Sequence, residues 1–195
     1  MSDLEDYLNK LIRKKNIFRE QSFKNLKQVL VNLKIKKPNK IISITGTNGK
    51  GSTAEILSRV LAKNKYEVGL LTSPHLVKFN ERIRINNKNI DDSEMLNCLE
   101  EVDKLKDSKE LNFYQIIAAA AFLFFSKKKL DVWILEVGLG GRLDPANYFD
   151  ADISVITKVA LDHENILGKG VENIGREKAG ICLLYTSDAA DDGTG

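Results

Sequence analysis

A glycine-rich loop after an apolar segment is the part of this sequence best suited to chemistry. Residues 41–45 read as a β-strand, and the loop that follows runs Gly46-Thr47-Asn48-Gly49-Lys50-Gly51-Ser52-Thr53. Glycines let backbone N–H groups turn towards an anion, and a helix that starts at the loop adds unpaired N–H groups and the positive end of its dipole. Lys50 adds a positive charge. The segment therefore predicts a phosphate-binding loop.

The spacing of this loop differs from that of the common P-loop. The common form has a glycine, four residues, and then Gly-Lys followed directly by Ser or Thr. Here Ile44 occupies the first glycine position, and Gly51 lies between Lys50 and Ser52. An ordinary strand-to-helix turn is the alternative interpretation. The extra glycine narrows the family of phosphate-binding proteins to which the chain could belong.

Two further strands are followed by groups that could bind a cation. Ser73 lies just after the apolar segment 68–71, and its hydroxyl could bind a hard cation such as Mg²⁺. Glu136 ends the apolar segment 132–135, where a carboxylate is costly unless a cation meets it. Three glycines follow Glu136 within five residues and would let another group approach. The alternatives are a Ser-Pro turn at Ser73 and a buried salt bridge at Glu136.

A third polar cluster follows the apolar segment 153–159. It contains His163 between Asp162 and Glu164, and a histidine flanked by carboxylates at a strand end is a candidate metal ligand. A helix with Lys178 comes next. The alternatives are a surface histidine and a helix-surface lysine that pairs with Glu177 or Asp162.

These clusters must be positioned by a regular framework, and the apolar patterning predicts one. Short apolar strands separated by helices indicate an α/β fold with a mainly parallel sheet covered on both faces, in which ligands gather at the carboxyl ends of the strands. The predicted helices are 3–14, 22–33, 52–64, 93–106 and 112–128, with a further helix around 173–181, and the predicted strands are 41–45, 68–72, 132–137 and 153–159.

Composition limits the class of protein. The chain has 195 residues, of which 43% are hydrophobic and 29% charged, and this indicates one domain or part of one. No apolar run is long enough to span a membrane, and the acidic start is unlike a secretion signal, so we expect a cytoplasmic protein. Residues 1–40 hold eleven Lys or Arg at helical spacing, which indicates a solvated helix face and no nucleic-acid partner. Cys98 and Cys182 suggest neither a disulfide framework nor a zinc site.

The end of the chain differs in composition from the rest. Residues 182–195 contain no lysine, although lysine is abundant elsewhere. This segment resembles the conceptual translation of a sequencing adapter. We expect residues 1–181 to be native, and 182–195 to be a non-native tail.

Taken together, the motifs resemble those of folylpolyglutamate synthase and dihydrofolate synthase, within the Mur ligase superfamily. The resemblance rests on five segments in the family's order, and it extends up to Ile181: 45–53, 72–76, 136–147, 161–163 and 176–181. It implies a P-loop-containing α/β domain of the Mur ligase central-domain type. Family members continue with more of this domain and a separate C-terminal domain, so we expect the chain to be C-terminally truncated.

The resemblance also implies ligands for the four strand-end clusters. ATP would be held by Thr47, Asn48, Gly49, Lys50, Gly51, Ser52 and Thr53. Mg²⁺ would be bound by Ser73, Glu136, His163 and, if carbamylated, Lys178. Catalytic roles would fall to Lys50, His163 and Lys178.

Two segments correspond to the family's contacts with the pterin substrate. The first is Asn112, Phe113, Tyr114 and Gln115, and the second is Leu143, Asp144 and Pro145. Gln115 stands where the family usually has glutamate, and a neutral amide cannot supply the same charge to a pterin ring.

The implied function is an ATP-dependent ligase that adds L-glutamate to dihydropteroate or to a folate through an acyl phosphate. We expect small-molecule substrates and a monomer. Two alternatives remain open at this stage: a P-loop NTPase or kinase, and a nucleotide-binding fragment that is inactive as given.

Overall fold

A six-stranded mixed sheet forms the centre of the computed structural model, which describes residues 3–13 and 20–182. Its strands are β1 Lys40–Thr45, β2 Val68–Leu71, β3 Ile83–Ile85, β4 Lys88–Asn89, β5 Val132–Glu136 and β6 Ile153–Ile156. Their order in the sheet is β4-β3-β2-β5-β1-β6, and β2, β5, β1 and β6 are parallel. The predicted α/β fold with a mainly parallel sheet is confirmed, and the antiparallel β3–β4 hairpin was not predicted.

Helices cover both faces of the sheet. They are α1 Asp3–Ile12, α2 Glu20–Asn32, α3 Lys50–Lys63, α4 Asp92–Asp103, α5 Phe113–Ser126, α6 Glu164–Leu167 and α7 Val171–Ala179. Side chains alternate along each strand, so Ile41 and Trp133 face one apolar cluster while Ile42 and Ile134 face the other. The first cluster contains the alanine-rich, almost fully buried α5, and the second lies under α3. Within the described part of the chain, no helix is long and apolar enough to cross a membrane.

Strand register brings the polar clusters to one edge of the sheet. Ile44 of β1 is paired with Glu136 of β5, and Thr45 is paired with Ile156 of β6. Leu71, the last residue of β2, is paired with Leu135. The loops that follow β1, β2, β5 and β6 therefore leave the sheet side by side, as the topology of parallel strands requires.

Strand β6 ends three residues earlier than predicted. After Ile156, the Thr157 N–H donates to the Thr45 carbonyl at 3.0 Å, and the Lys158 carbonyl accepts from the Thr47 N–H at 2.6 Å. Residues 157–160 thus leave the ladder to line the glycine-rich loop. Predictions for residue 14 and for residues 183–195 of the expected tail lie outside the described residues.

Helix α5 begins with a reciprocal cap. The Asn112 side-chain oxygen accepts the Gln115 N–H at 2.9 Å, and the Gln115 side-chain oxygen accepts the Asn112 N–H at 3.0 Å. Both residues are buried. This capping box satisfies two backbone donors that the first turn of a helix leaves unpaired. It fixes the start of α5, and with it the position of Tyr114.

The cap gives a stability prediction. We expect Asn112→Ala to lower the free energy of unfolding by about 1 kcal/mol, because the Gln115 N–H loses its acceptor. Asn112→Ser is the matched control and should lose only a fraction of this, since serine also caps helices. Chemical denaturation of the two variants beside the parent measures the difference. Equal stability of Asn112→Ala and the parent would contradict the capping role.

Candidate functional site

The loop between β1 and α3 is shaped to present backbone N–H groups. Gly49 adopts a φ of 86°, in the left-handed region that glycine enters readily, and α3 starts at the next residue. The N–H of Thr53 is the first to bond back to the loop, to the Gly49 carbonyl at 3.0 Å. The N–H groups of Lys50, Gly51 and Ser52 have no acceptor within the helix. This end of α3 can therefore accommodate an anion, and phosphate binding by the loop stays a prediction.

The Gly46 carbonyl oxygen accepts hydrogen bonds from two lysines. Lys50 Nζ lies 3.0 Å from it, and Lys178 Nζ on α7 lies 2.9 Å from it. Lys50 also reaches the Thr47 carbonyl at 3.3 Å. The Lys178 residue is only 4% exposed, and burial together with the charge of Lys50 lowers the pKa of its amine. Lys178 can thus lose its proton more easily than a surface lysine.

Residues that follow β6 pack against the glycine-rich loop and fix its position. A Cβ on Gly46 would lie 2.0 Å from Thr157 Oγ1, so only glycine fits there. Thr157 Oγ1 donates to the Asn48 carbonyl at 2.7 Å. The Thr47 N–H donates to the Lys158 carbonyl, so this backbone donor already fixes the loop. The nucleotide contact expected of Thr47 stays a prediction.

A buried carboxylate lies beside the start of α3. Glu136 is 3% exposed, and its Oε2 accepts the Ser73 N–H at 2.9 Å. The Ser73 hydroxyl shares a hydrogen bond of 2.5 Å with the Tyr114 hydroxyl. Burial raises the pKa of Glu136, although the positive charge of Lys50 opposes the shift. A Cβ on Gly51 would lie 3.5 Å from both carboxylate oxygens, so α3 approaches Glu136 closely.

Only part of the predicted metal set is brought together. Ser73 and Glu136 are hydrogen-bonded to each other, and Lys178 and Lys50 both donate a hydrogen bond to the Gly46 carbonyl. His163 is more than half exposed, and its imidazole lies 3.7 Å from Asp162. Among residues 3–13 and 20–182, no group of three or more His, Cys, Asp or Glu is arranged to hold a metal ion. The donors that are present fit a hard cation such as Mg²⁺, which takes one or two protein ligands and completes its shell with water and phosphate.

The loop from Gly138 to Asn147 is organised by Asp144. This carboxylate is 1% exposed and accepts N–H groups from Gly138, Leu139 and Ala146 at 3.1, 3.0 and 2.8 Å. The loop reaches α7 through the Arg142 N–H, which donates to the Glu177 carbonyl at 3.1 Å. Asp144 therefore positions the loop that packs against the helix of Lys178.

The residues expected to contact a pterin differ in how accessible they are. Asn112, Gln115, Asp144 and Pro145 are buried. The hydrogen bonds described above tie Asn112, Gln115 and Asp144 to nearby backbone. Phe113, Tyr114 and Leu143 are half-buried. Substrate contacts by any of the seven stay predictions. In the capping box a glutamine oxygen serves as well as a glutamate oxygen. The structure therefore gives Gln115 a role in capping the helix that does not require the negative charge of glutamate.

Sequence reasoning missed Thr157 and Arg82. No sequence motif indicates Thr157, because its contact with the glycine-rich loop depends on where β6 ends. The Arg82 guanidinium donates from Nε to His75 Nδ1 at 3.1 Å, and it lies on the edge of the Ser73 and Glu136 cluster. The signal that could have found it is its place beside a second arginine, just after a strand-end cluster.

Comparison with known proteins gives one family and several close relatives. The Mur ligase middle domain family matches residues 44–190. A dihydrofolate synthase/folylpolyglutamate synthase of Buchnera aphidicola subsp. Acyrthosiphon pisum is 43% identical over 147 residues, which are 75% of this chain and 36% of that protein.

Solved structures of folylpolyglutamate synthase/dihydrofolate synthase enzymes have the same fold as this chain. Escherichia coli FolC in complex with DHPP and ADP superposes with a TM-score of 0.85 at 37% identity, over 92% of this chain and 44% of that one. A bifunctional folylpolyglutamate synthase/dihydrofolate synthase with Mn, AMPPNP and L-glutamate bound gives a TM-score of 0.82 at 36% identity, over 93% and 44%. The chain thus spans less than half the length of these relatives.

The burial of Asp144 gives a prediction about pH. Burial raises the pKa of this carboxyl to about 6, above the value of about 3.9 for an exposed aspartate. The protonated form is therefore favoured by folding, so its contribution to stability is present below about pH 4 and is lost as the pH rises through about 6. We expect an NMR titration of the Asp144 carboxyl carbon to give a midpoint near 6. A midpoint below 4.5 would show that the three N–H groups outweigh burial.

Proposed function

The chain belongs to the Mur ligase middle-domain family, and we propose that it forms the nucleotide-binding part of an ATP-dependent ligase that joins L-glutamate to a pteroate- or folate-type acid. One observation carries the proposal: the anion-binding end of α3, the half-buried amine of Lys50 and the buried amine of Lys178 adjoin a buried carboxylate that is hydrogen-bonded to Ser73. Two similar proteins of known structure were solved with ligands: one with DHPP and ADP, the other with Mn, AMPPNP and L-glutamate. Small-molecule substrates, a monomer and a cytoplasmic location are part of the proposal.

The loop and the start of α3 would bind the phosphates of ATP. The N–H groups of Lys50, Gly51 and Ser52 face no acceptor of their own helix, and Lys50 adds its charge. Ser73 and Glu136 would hold Mg²⁺. When bound, ATP with Mg²⁺ supplies the phosphoryl group that converts the acid to an acyl phosphate, from which the amine of glutamate then displaces phosphate.

The chain's own residues contribute charge and position. Lys50 is held by two loop carbonyls, so its ammonium group is fixed before a ligand arrives and can stabilise negative charge that develops on a transferring phosphoryl group. Glu136 is fixed by the Ser73 N–H. Fixed groups of this kind need little reorganisation during the reaction. This preorganisation is the main source of rate enhancement in phosphoryl-transfer sites.

Lys178 has the properties that carbamylation requires. A neutral amine adds to CO₂, one proton is released, and a carbamate with two oxygen ligands results. The lowered pKa of Lys178 increases the neutral fraction, and loss of its charge would remove the repulsion from Lys50. His163 would serve as a further metal ligand beside it.

A kinase or simple NTPase would release ADP with a hydroxyl compound or with water alone. The ligase should release ADP only when a pteroate-type acid and L-glutamate are both present. Coupled measurement of ADP in a full-length protein that carries these residues, with each substrate omitted in turn, tests the proposal. ADP release that is independent of glutamate would refute it.

We expect Lys50→Ala to lower kcat at least 100-fold at saturating ATP, because the mutation removes a fixed positive charge at the phosphate site. Lys63→Ala is the matched control: this lysine ends the same helix, is exposed, and should leave kcat unchanged. Steady-state kinetics of both variants make the comparison. Near-parental turnover of Lys50→Ala would exclude the role.

We expect the protein to incorporate ¹³C from labelled bicarbonate as a carbamate at Lys178. A ¹³C carbamate signal should be present in the parent and absent in Lys178→Ala, while Lys169→Ala, which changes a lysine near the start of α7, should keep it. A parent protein without a carbamate signal, both with and without nucleotide and Mg²⁺, would rule out the modification.

A further inference from the structure

Arg82 and His75 form a pair that the proposed roles leave unused. His75 lies in the segment after β2, and Arg82 lies just before β3. Arg82 Nε donates to His75 Nδ1 at 3.1 Å, so the histidine accepts at Nδ1 and carries its proton on Nε2. The guanidinium also lies over the Phe79 ring, 5.0 Å from its centroid. Arg82 is thereby fixed in position by two neighbours, neither of which neutralises its charge.

Arg84, the next arginine along the chain, lies in β3 and provides a comparison. Arg84 forms an ion pair with Glu55, with Nη1 and Oε2 2.6 Å apart. In the described part of the chain, no carboxylate lies within ion-pair distance of Arg82. Arg82 is nevertheless half-buried, and burial lowers its pKa. A partly desolvated cation without its own counter-ion is costly, so an anionic ligand is the natural partner.

The surroundings of Arg82 indicate what kind of anion would fit. Glu136 and Tyr114 act on its charge, so Arg82 lies near the Ser73 and Glu136 cluster. Arg82 also borders a group of aromatic rings: the His75 and Phe79 ring centroids are 5.4 Å apart, and the Phe79 and Phe113 ring centroids are 5.9 Å apart. A cation near both the proposed metal-binding cluster and aromatic rings suits an aromatic molecule that ends in a carboxylate.

We propose that Arg82 binds the carboxylate of the aromatic acid that the ligase activates, and that His75 positions the guanidinium for this contact. The inference rests on the proposed function. With Nε bonded to His75, the two Nη atoms form the fork that matches the two oxygens of a carboxylate. Arg82 is a substrate-binding residue, and His75 is a positioning residue that acts through it.

The test is the preference for an acid over its neutral analogue. Binding of pteroic acid and of its carboxamide is measured by calorimetry, without ATP, in a full-length protein that carries these residues. The parent should bind the acid roughly 10–100-fold more tightly, as expected for charge-assisted hydrogen bonds. Arg82→Gln should bring the two affinities within about threefold by weakening only the acid.

Controls separate this contact from a general effect of charge. Arg59→Gln removes one positive charge from an exposed position on α3 and should keep the preference of the parent. If Arg82→Gln fails to fold, Arg82→Lys keeps the charge without the fork and should retain only part of the preference. A full preference in either Arg82 variant would overturn the proposal. So would an unchanged preference combined with weaker ATP binding, since Arg82 would then bind phosphate.

The role of His75 has its own test. His75→Ala should reduce the preference several-fold, because Arg82 loses the acceptor for Nε. His75→Asn offers an oxygen near the position of Nδ1 and should restore most of it. Equal loss in both variants would mean that His75 acts only through packing, and this would overturn its positioning role.

The two proposals can fail separately. A parent that prefers the acid but releases ADP without glutamate would refute the ligase function and leave the carboxylate contact in place. A parent that makes the amide but binds acid and carboxamide equally would refute the role of Arg82 and leave the ligase function intact.

Discussion

The Gly46 carbonyl oxygen is the point on which the candidate site depends. It accepts hydrogen bonds from Lys50 and Lys178, which approach from different helices. Two ammonium groups on one oxygen repel each other, and burial together with this repulsion lowers the pKa of Lys178. The arrangement can form only if residue 46 has no side chain, because Thr157 occupies the place of a Cβ. A single glycine thus allows the loop, β6 and α7 to meet.

Long-range packing brings Lys178 to a residue 132 positions earlier in the chain. The loop organised by Asp144 makes this possible by packing directly against α7. A Cβ on Gly141 would lie 2.4 Å from the Glu177 carbonyl oxygen, and one on Gly180 would lie 2.5 Å from Arg142 Cβ. These glycines permit backbone-to-backbone contact beside Lys178. The position of the lysine is therefore set by the absence of side chains on both partners.

Sequence patterning predicted the parallel strands and their polar ends, because short apolar segments separated by helices can be recognised from local composition. It did not predict the β3–β4 hairpin, whose strands have only three and two residues. The Asn86-Asn87 pair was the available signal in the sequence for a tight hairpin. In the structure these residues adopt the positive φ values of such a turn, 49° and 64°. Arg82 was also missed, since its approach to His75 depends on the antiparallel pairing of β3 with β2. The capping box of α5 could have been found from the Asn-x-x-Gln spacing alone.

The extra glycine in the glycine-rich loop is explained by Glu136 rather than by the curvature of the loop. Gly51 lies in the first turn of α3, and its missing Cβ would be 3.5 Å from both carboxylate oxygens. A methyl group would just fit, but any longer side chain would occupy the space beside the carboxylate. Burial still raises the pKa of Glu136 although Lys50, Arg82 and the Ser73 N–H oppose the shift, so the protein's own charges leave this carboxylate undercompensated. A glycine at this position keeps the adjoining space open for a cation, and it follows that the loop spacing and the buried glutamate are best understood as one feature.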